Sequence, residues 1–448
     1  MNTYIHQNIL KTISSMRKQP LWECMKFLSK SQYWSLDEQY SYQEKKLKEL
    51  LIFCNRYVPF YKNFFSKTNI NPEEISLNNI DQLPIIDKSI LRKFSINLTS
   101  TASNIAYEMA KTSGSTGTPL HFPKSLTSTA YQLAAMYRGH GWHGVEPGEK
   151  EARLWGIPVD PLQRLKTRLI DLALNRFREK KYNLDPDILC DFYRKLIRRK
   201  PDYLMGYASM VMQFAKFLRE SNLDATQLKL KMVKCTSETI HDEDYDTIKS
   251  IFGCQLVCEY GAAETGIIAF QCERGSIHIM SDCCIVEFLE PSEELNDKSL
   301  REVVVTNLYN TAMPIIRYKI GDLVIPSTAK CNCGRNLPII NKIIGRESDI
   351  IRSRSGKSWH SIIIYYIMKG YESMYGGVNQ YKVIQNDISS LEFLIIPNQN
   401  FTDESKQYII SRCQKEFGRE MSITVTPVNY IQREKSGKLR DFISNLNQ

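Results

Sequence analysis

The sequence predicts an α/β chain of the α+β multidomain kind, with a large N-terminal domain of mixed sheets and helices and a small, mobile α+β C-terminal domain. Three observations predict it. Apolar residues recur at three- and four-residue spacing over much of the first 225 residues, as in QEKKLKELLIFCNRYVPFYKNFF, which is the spacing of one helix face. Between 228 and 330, short runs rich in Val and Ile alternate with turn residues, the pattern of strands. A polar, glycine-bearing stretch at 345–360, GRESDIIRSRSGKSWH, then sets off a last segment in which both patterns alternate again.

Taken in order, residues 1–100 read as mostly helical. Helical patterns return from about 125 to 225 in STAYQLAAMYRGHGW, PDILCDFYRKLIRRKP and SMVMQFAKFLRE. The segments LKLKMVKCTSE, CQLVCEYGA, CCIVEFLE and REVVVTNLY read as strands. Strands and helices in alternation imply a largely parallel sheet. Past the boundary, YKVIQND, LEFLIIP and ITVTPV are strand-like, and SIIIYYIMKGYESM and ESKQYIISRCQKEFGRE are helical. The expected domains are therefore 1–346 and 347–448, the second near the low end of domain size.

Composition narrows the class of function. Hydrophobic residues make up 42% of the 448 and charged residues 24%, an ordinary globular balance that supports a substantial core. No window approaches the run of ~20 apolar residues that spans a bilayer, and the first residues lack the pattern of a secretory signal. A cytoplasmic protein with no transmembrane segment is expected. Lys and Arg exceed Asp and Glu, giving a formal net charge of +10, which favours anionic partners. The basic runs RLKTRLIDLALNRFREKKY and YRKLIRRKP read as solvated helix faces. Without interleaved aromatics or a known module they do not make a nucleic-acid surface. The 12 cysteines, in a chain with no signal pattern, argue against a disulfide framework.

The stretch KTSGSTGTPLHF at 111–122 packs glycines, hydroxyl side chains and a proline together. Its composition fits a surface turn or a loop that wraps a phosphate with backbone N–H groups. It is not a Walker loop, because no Lys-Ser/Thr pair follows the last glycine.

Six stretches in order carry a wider pattern: TSGSTGTP at 112–119, CTSETI at 235–240, EYGAAETG at 259–266, RYKIGD at 317–322, GRESDII at 345–351 and REKSGKLR at 433–440. Their order and spacing resemble the adenylate-forming superfamily, and within it the phenylacetate–CoA ligase branch, especially CapK-like proteins encoded with surface-polysaccharide genes. The resemblance covers roughly residues 40–448. It implies an ATP-dependent ligase that activates a carboxylic acid as its acyl-AMP with Mg²⁺, then transfers the acyl group to CoA or to an amine or sugar acceptor. It assigns Ser113, Gly114, Ser115, Thr116 and Gly117 to the ATP phosphates, and places Ser237, Glu238 and Gly261 in the nucleotide site. It puts Tyr260 against adenine, Glu264 on magnesium, Asp322 on the ribose hydroxyls and Arg346 at the interdomain hinge. Lys438 would bridge the substrate carboxylate and the α-phosphate. The acid pocket is expected between about 130 and 260, including LWGIP and YLMGYASM. His140 and His143 read as structural or solvated.

Cys331 and Cys333, in CNCG, and Cys272 and His278, in CERGSIH, form two pairs of metal-type side chains. The resemblance implies a structural Zn²⁺ held by these four, against the plainer reading of reduced, unpaired thiols; Cys283 and Cys284 are rival ligands. The chain departs from the family pattern at Ala263, where a threonine is usual, and at Ser348, with Asp349 following. SRSGKSWHS stands where an apolar glycine stretch shapes the pantetheine tunnel, which puts CoA in doubt as acceptor. A non-catalytic nucleotide-binding module is the competing reading, and retention of Glu264, Asp322 and Lys438 argues against it.

Overall fold

The computed structural model describes residues 3–112, 120–155, 161–179, 184–291, 295, 297–376, 378–434 and 438–446. They fall into two compact units, the first comprising Met1–Glu287, Val304–Ile320 and Ser327–Asn341, the second Phe288–Val303, Gly321–Pro326 and Lys342–Gln448. The expected boundary at 346 lies at the end of a strand, Ile339–Arg346.

The first unit opens with helices Thr3–Met16, Leu21–Ser31, Leu36–Tyr57 and Pro59–Thr68. The long third helix starts at a capping box, in which the Ser35 hydroxyl accepts from Glu38 N–H and the Glu38 carboxylate accepts from Ser35 N–H. That arrangement satisfies two of the donors a helix start leaves open. The second helix is bonded to a buried ion pair between helix Leu126–Gly141 and the turn that carries Asp282. Arg138 donates to Asp282 through both terminal nitrogens, at 2.5 and 2.9 Å, while also donating to Leu28 O at 3.1 Å and with Ser31 Oγ donating to the same carboxylate at 2.5 Å. Removing one partner strands a buried charge, so Asp282→Ala is expected to cost about 3–5 kcal/mol. Denaturant unfolding of the variant checks this.

In chain order the strands of this region are β1 (Tyr107–Lys111), β2 (His121–Ser125), β3 (Glu151–Leu154), β4 (Arg176–Glu179), β5 (Tyr203–Gly206), β6 (Met232–Thr236), β7 (Gln255–Ala262), β8 (Gly266–Gln271), β9 (Ile277–Ile279), β10 (Cys284–Leu289), β11 (Arg301–Asn307), β12 (Tyr318–Ser327) and β13 (Ile339–Arg346). β1 and β2 form a separate antiparallel hairpin. The main sheet runs β4-β3-β5-β6-β7 in parallel, then β8, β9 and β13 antiparallel. The parallel core and its covering helices are as the alternating pattern predicts.

The parallel strands have two unlike faces. Ala152, Phe177, Leu204, Val233 and Leu256 lie in register on one face. They pack into an apolar core with Phe192, Val211, Phe214 and Phe252 from helices Pro186–Arg199, Ala208–Glu220 and Asp242–Phe252. On the other face the register aligns Glu151, Arg176 and Tyr203, then Arg153, Arg178, Met205 and Lys234, with Glu259 one step further along β7. Successive residues of a strand point to opposite faces, so these charges share the second face.

The second unit adds β14 (Ile350–Arg352), β15 (Ser358–His360), β16 (Gln380–Asp387), β17 (Ser390–Ile396), β18 (Ser422–Pro427) and β19 (Phe442–Ser444). The last four pair in the order β18-β17-β16-β19. Helices Ile362–Tyr375 and Asp403–Phe417 contribute Tyr371, Ile409, Cys413 and Phe417 to a core with Val383, Phe393 and Ile395 from the sheet. The unit is a small α+β body that also takes in Phe288–Val303, Gly321–Pro326 and Lys342–Arg346, ahead of the expected boundary. Among the described residues no helix is long and apolar enough to cross a membrane.

Candidate functional site

Ser113, Gly114, Ser115, Thr116 and Gly117, expected to hold the ATP phosphates, lie outside the described residues, and the residues that flank them are described. Thr112 N–H donates to Leu120 O at 3.0 Å, and Leu120 N–H donates to Thr112 Oγ1 at 3.0 Å. Residues 113–119 join β1 to β2, an antiparallel pair in which Lys111 is opposite His121. A Walker loop instead joins a strand to a helix.

From β2 a connection runs to the turn that follows β7. Lys124 is buried, and its ammonium donates to Ala263 O at 3.2 Å and to Gln132 Oε1. Ala263 precedes Glu264, itself buried, whose carboxylate accepts from Tyr318 Oη at 3.2 Å. The strand that leaves the Ser/Thr/Gly loop and the turn that carries Glu264 thus meet in one unit. Burial pushes the Lys124 ammonium down to about 8, partly offset by the charges of Glu108 and Glu264. Sequence reasoning passed over Lys124. Its only signal is its place just after the loop, in HFPKS.

Tyr260 and Gly261 sit at the end of β7 before its hairpin with β8. A Cβ on Gly261 would lie 2.4 Å from Gly266 O, a separation no side chain tolerates, so glycine is required there. On the neighbouring strand Ser237 follows β6 with φ of 72°, a left-handed conformation uncommon outside glycine that concentrates at functional sites. Glu238 is already engaged, its carboxylate accepting from Ser209 N–H at 2.8 Å. That bond caps the start of helix Ala208–Glu220.

In the second unit Asp322 and Arg346 are partners, with Arg346 Nε 3.1 Å from Asp322 Oδ1. Gly321, just before Asp322 within β12, takes a φ of +77°, and its carbonyl accepts from Glu347 N–H. Asp349, displaced by one from the family position, pairs with Arg440 at 2.6 Å. Lys438 lies two residues before that anchor, and its carbonyl accepts from Glu434 N–H at 2.9 Å. The segment SRSGKSWHS begins at the end of β14 and runs through β15, with Arg352 opposite Ser358. A polar hairpin thus occupies this stretch.

The metal-type residues converge. Cys272, His278, Cys331 and Cys333 each offer one ligand atom, and these atoms all lie within 4.8 Å of one another. Cys272 Sγ is 3.7 Å from Cys331 Sγ, and Cys333 Sγ is 3.3 Å from His278 Nε2. Tetrahedral zinc with bonds of about 2.3 Å to sulfur sets two ligand sulfurs about 3.8 Å apart, so the set fits that ion. His278 Nδ1–H donates to Leu337 O at 2.9 Å, which leaves Nε2 as the bare nitrogen facing the thiols, the usual orientation of a ligating histidine. Burial pushes the Cys272 thiol up to about 12, so a cation is needed to hold it as thiolate. The strands return the chain as expected, although His278 lies in β9 with β8 and β13 on either side rather than at a sheet edge. The rivals are not in this group: Cys284 Sγ donates to Met280 O, and Cys283 is buried apart. All 12 cysteines are free. His140 is buried and His143 bonds Gln271 O, both within the fold.

A family model for the CapK C-terminal domain matches residues 349–445. Protein CapK of Staphylococcus aureus is 25% identical over 92% of this chain and 90% of its own length, and a phenylacetate–coenzyme A ligase of Thermus thermophilus is 21% identical over 89% and 94%. Over nearly its whole length the chain is thus similar to CapK and to a phenylacetate–coenzyme A ligase. Its class is that of the AMP-forming ligases. In fold the chain matches a crystal structure of 2-hydroxyisobutyryl-CoA ligase in the postadenylation state, bound to R3-HIB-AMP, with TM-score 0.72 and 18% identity over 93% of each chain.

Proposed function

We propose that this enzyme activates a carboxylic acid as its acyl-AMP, releases pyrophosphate, and passes the acyl group to an amine or sugar in surface polysaccharide biosynthesis. The observation that carries the reading is the Lys124–Ala263 contact, which joins the phosphate loop's exit strand to the turn bearing Glu264. In the first half-reaction a carboxylate oxygen of the acid bonds to the α-phosphorus of ATP, the bond to the bridging oxygen breaks, and pyrophosphate leaves. Ser113–Gly117 hold the phosphates, Tyr260 stacks on adenine, and Gly261 lets the backbone approach. Asp322 binds the ribose, with Arg346 beside it. Glu264 would hold Mg²⁺, which supplies charge neutralisation at the phosphates. Cys272, His278, Cys331 and Cys333 would hold Zn²⁺ as a closed structural site. Residues 347–448 act as the mobile lid that carries Lys438.

The lid assignment has a consequence for one half-reaction. Lys438→Ala is expected to lower adenylate formation by about 10²–10³-fold, the scale for removing one group that stabilises transition-state charge. Transfer from a synthetic acyl-adenylate should stay near parental rates, because the lysine serves only the first closed state. Equal loss in both assays would assign Lys438 to folding or docking instead.

A second acceptor reading, CoA, is favoured by the relatives named phenylacetate–CoA ligase. The polar hairpin of SRSGKSWHS favours the amine or sugar. Offering the preformed adenylate to CoA and to amino sugars in parallel tests it, with amide formation expected. Thioester formation alone would decide for CoA.

A further inference from the structure

We propose that the acid activated here is hydrophilic, with hydroxyl or ammonium groups along its body, and that the buried charged layer around Lys234 and Glu259 reads those groups. The inference rests on the ligase reading above and concerns the same site. Five parallel strands present an apolar core on one face and this charged layer on the other. Within it Lys234, whose side chain has no exposed surface, donates to Glu259 at 2.6 Å. Glu151 accepts from Tyr203 Oη at 2.7 Å and pairs with Arg153 and Arg176, while Asp171 takes Arg178 at 2.5 Å. Among these described residues the cations outnumber the carboxylates by one. His140 packs against the Tyr203 ring at 5.2 Å, is 1% exposed, and has no hydrogen-bond partner for Nε2.

Stability alone does not call for such a layer. Apolar residues of similar volume usually replace a buried ion pair at no cost, or with a gain. The layer also opens where a substrate would arrive. Arg153 and Glu259 keep 15% and 9% of their side-chain exposure. Arg153 leads directly into Leu154–Trp155 and Glu259 into Tyr260–Gly261, at the carboxyl ends of the strands where open α/β sheets bind ligands. An aryl or alkyl acid set there would press hydrocarbon against the partly open Arg153 and Glu259 and strip the water they still reach. A hydroxyl would bond Glu259 or Arg153, and an ammonium would bond Glu259, whose charge Lys234 holds in place. A site built to hydrogen-bond a substrate rejects the analogue that lacks the polar group by large factors.

The test is pyrophosphate release by the full chain with ATP and Mg²⁺ across uronic acids, polar amino acids, phenylacetate and octanoate. The uronic or the amino acid arm should exceed both apolar arms by about 100-fold in kcat/KM, and whichever leads names the source of the polar groups. The double variant Lys234→Met/Glu259→Leu should keep the parental Tm or raise it, and move the preference toward phenylacetate by about tenfold or more. Preference of the parent for phenylacetate or octanoate would overturn this inference and leave the ligase reading standing. A folded double variant with an unshifted ratio would overturn the role given to the pair. No pyrophosphate with any acid would overturn the ligase reading and this inference together.

Discussion

Glu264→Gln is expected to abolish acid-dependent pyrophosphate release, by about 10³-fold or more, while leaving the protein folded. The substitution keeps the shape of the side chain and an oxygen that still accepts from Tyr318 Oη, now 3.2 Å away. What it removes is the negative charge. Mg²⁺ takes anionic oxygen ligands and neutralises phosphate charge as the leaving group departs, and removing single groups that stabilise transition-state charge costs about 10²–10³ in rate. Loss of the metal ligand belongs at the upper end of that range. An unchanged Tm beside lost turnover is the expected pair of results. Near-parental turnover would remove Glu264 from the magnesium site.

The double variant Cys331→Ser/Cys333→Ser carries the second large effect. Purified parent should hold about one zinc per chain, and the variant should hold none and melt at a lower temperature. Binding and folding are coupled at such sites, because the ligand set does not exist in the unfolded chain. Half of the set comes from the end of β8 and from β9, and half from the turn before β13, so the ion would close a long stretch of chain. Its neighbours support the same geometry: Arg335 lies over the Trp142 ring at 4.6 Å and pairs with Glu273 at 2.9 Å. Elemental analysis and thermal melts with and without a strong chelator read the outcome. A metal-free parent that is fully stable in chelator would leave the four side chains as reduced thiols and a buried imidazole.

Much of this arrangement was legible in the sequence because the informative residues act locally. The glycine in EYGAAETG marks a break at the end of a strand whatever the tertiary context, and the Val- and Ile-rich runs of β6, β7 and β11 declare strands. The four metal-type residues could be paired because each pair is close in sequence. The charged layer was not legible in this way. Arg153, Arg176, Lys234 and Glu259 lie on four separate strands, and only the parallel register brings them to one face. Read singly, KMVKCTSE and CQLVCEYG are apolar strands with a stray charge. Lys124 escaped for a similar reason, since its partners Gln132 and Ala263 come from a helix and a distant turn. Glu238 shows the reverse case, a residue assigned to the nucleotide site by its motif that the fold also uses to cap a helix.

Exchange of labelled pyrophosphate into ATP, in the absence of any acceptor, tests the central claim most directly. Reversible formation of an acyl-adenylate requires exchange that depends on the carboxylic acid and on Mg²⁺, appears before CoA or an amine is added, and vanishes in Glu264→Gln. Cleavage of ATP to ADP and phosphate, or exchange indifferent to every acid, would contradict it.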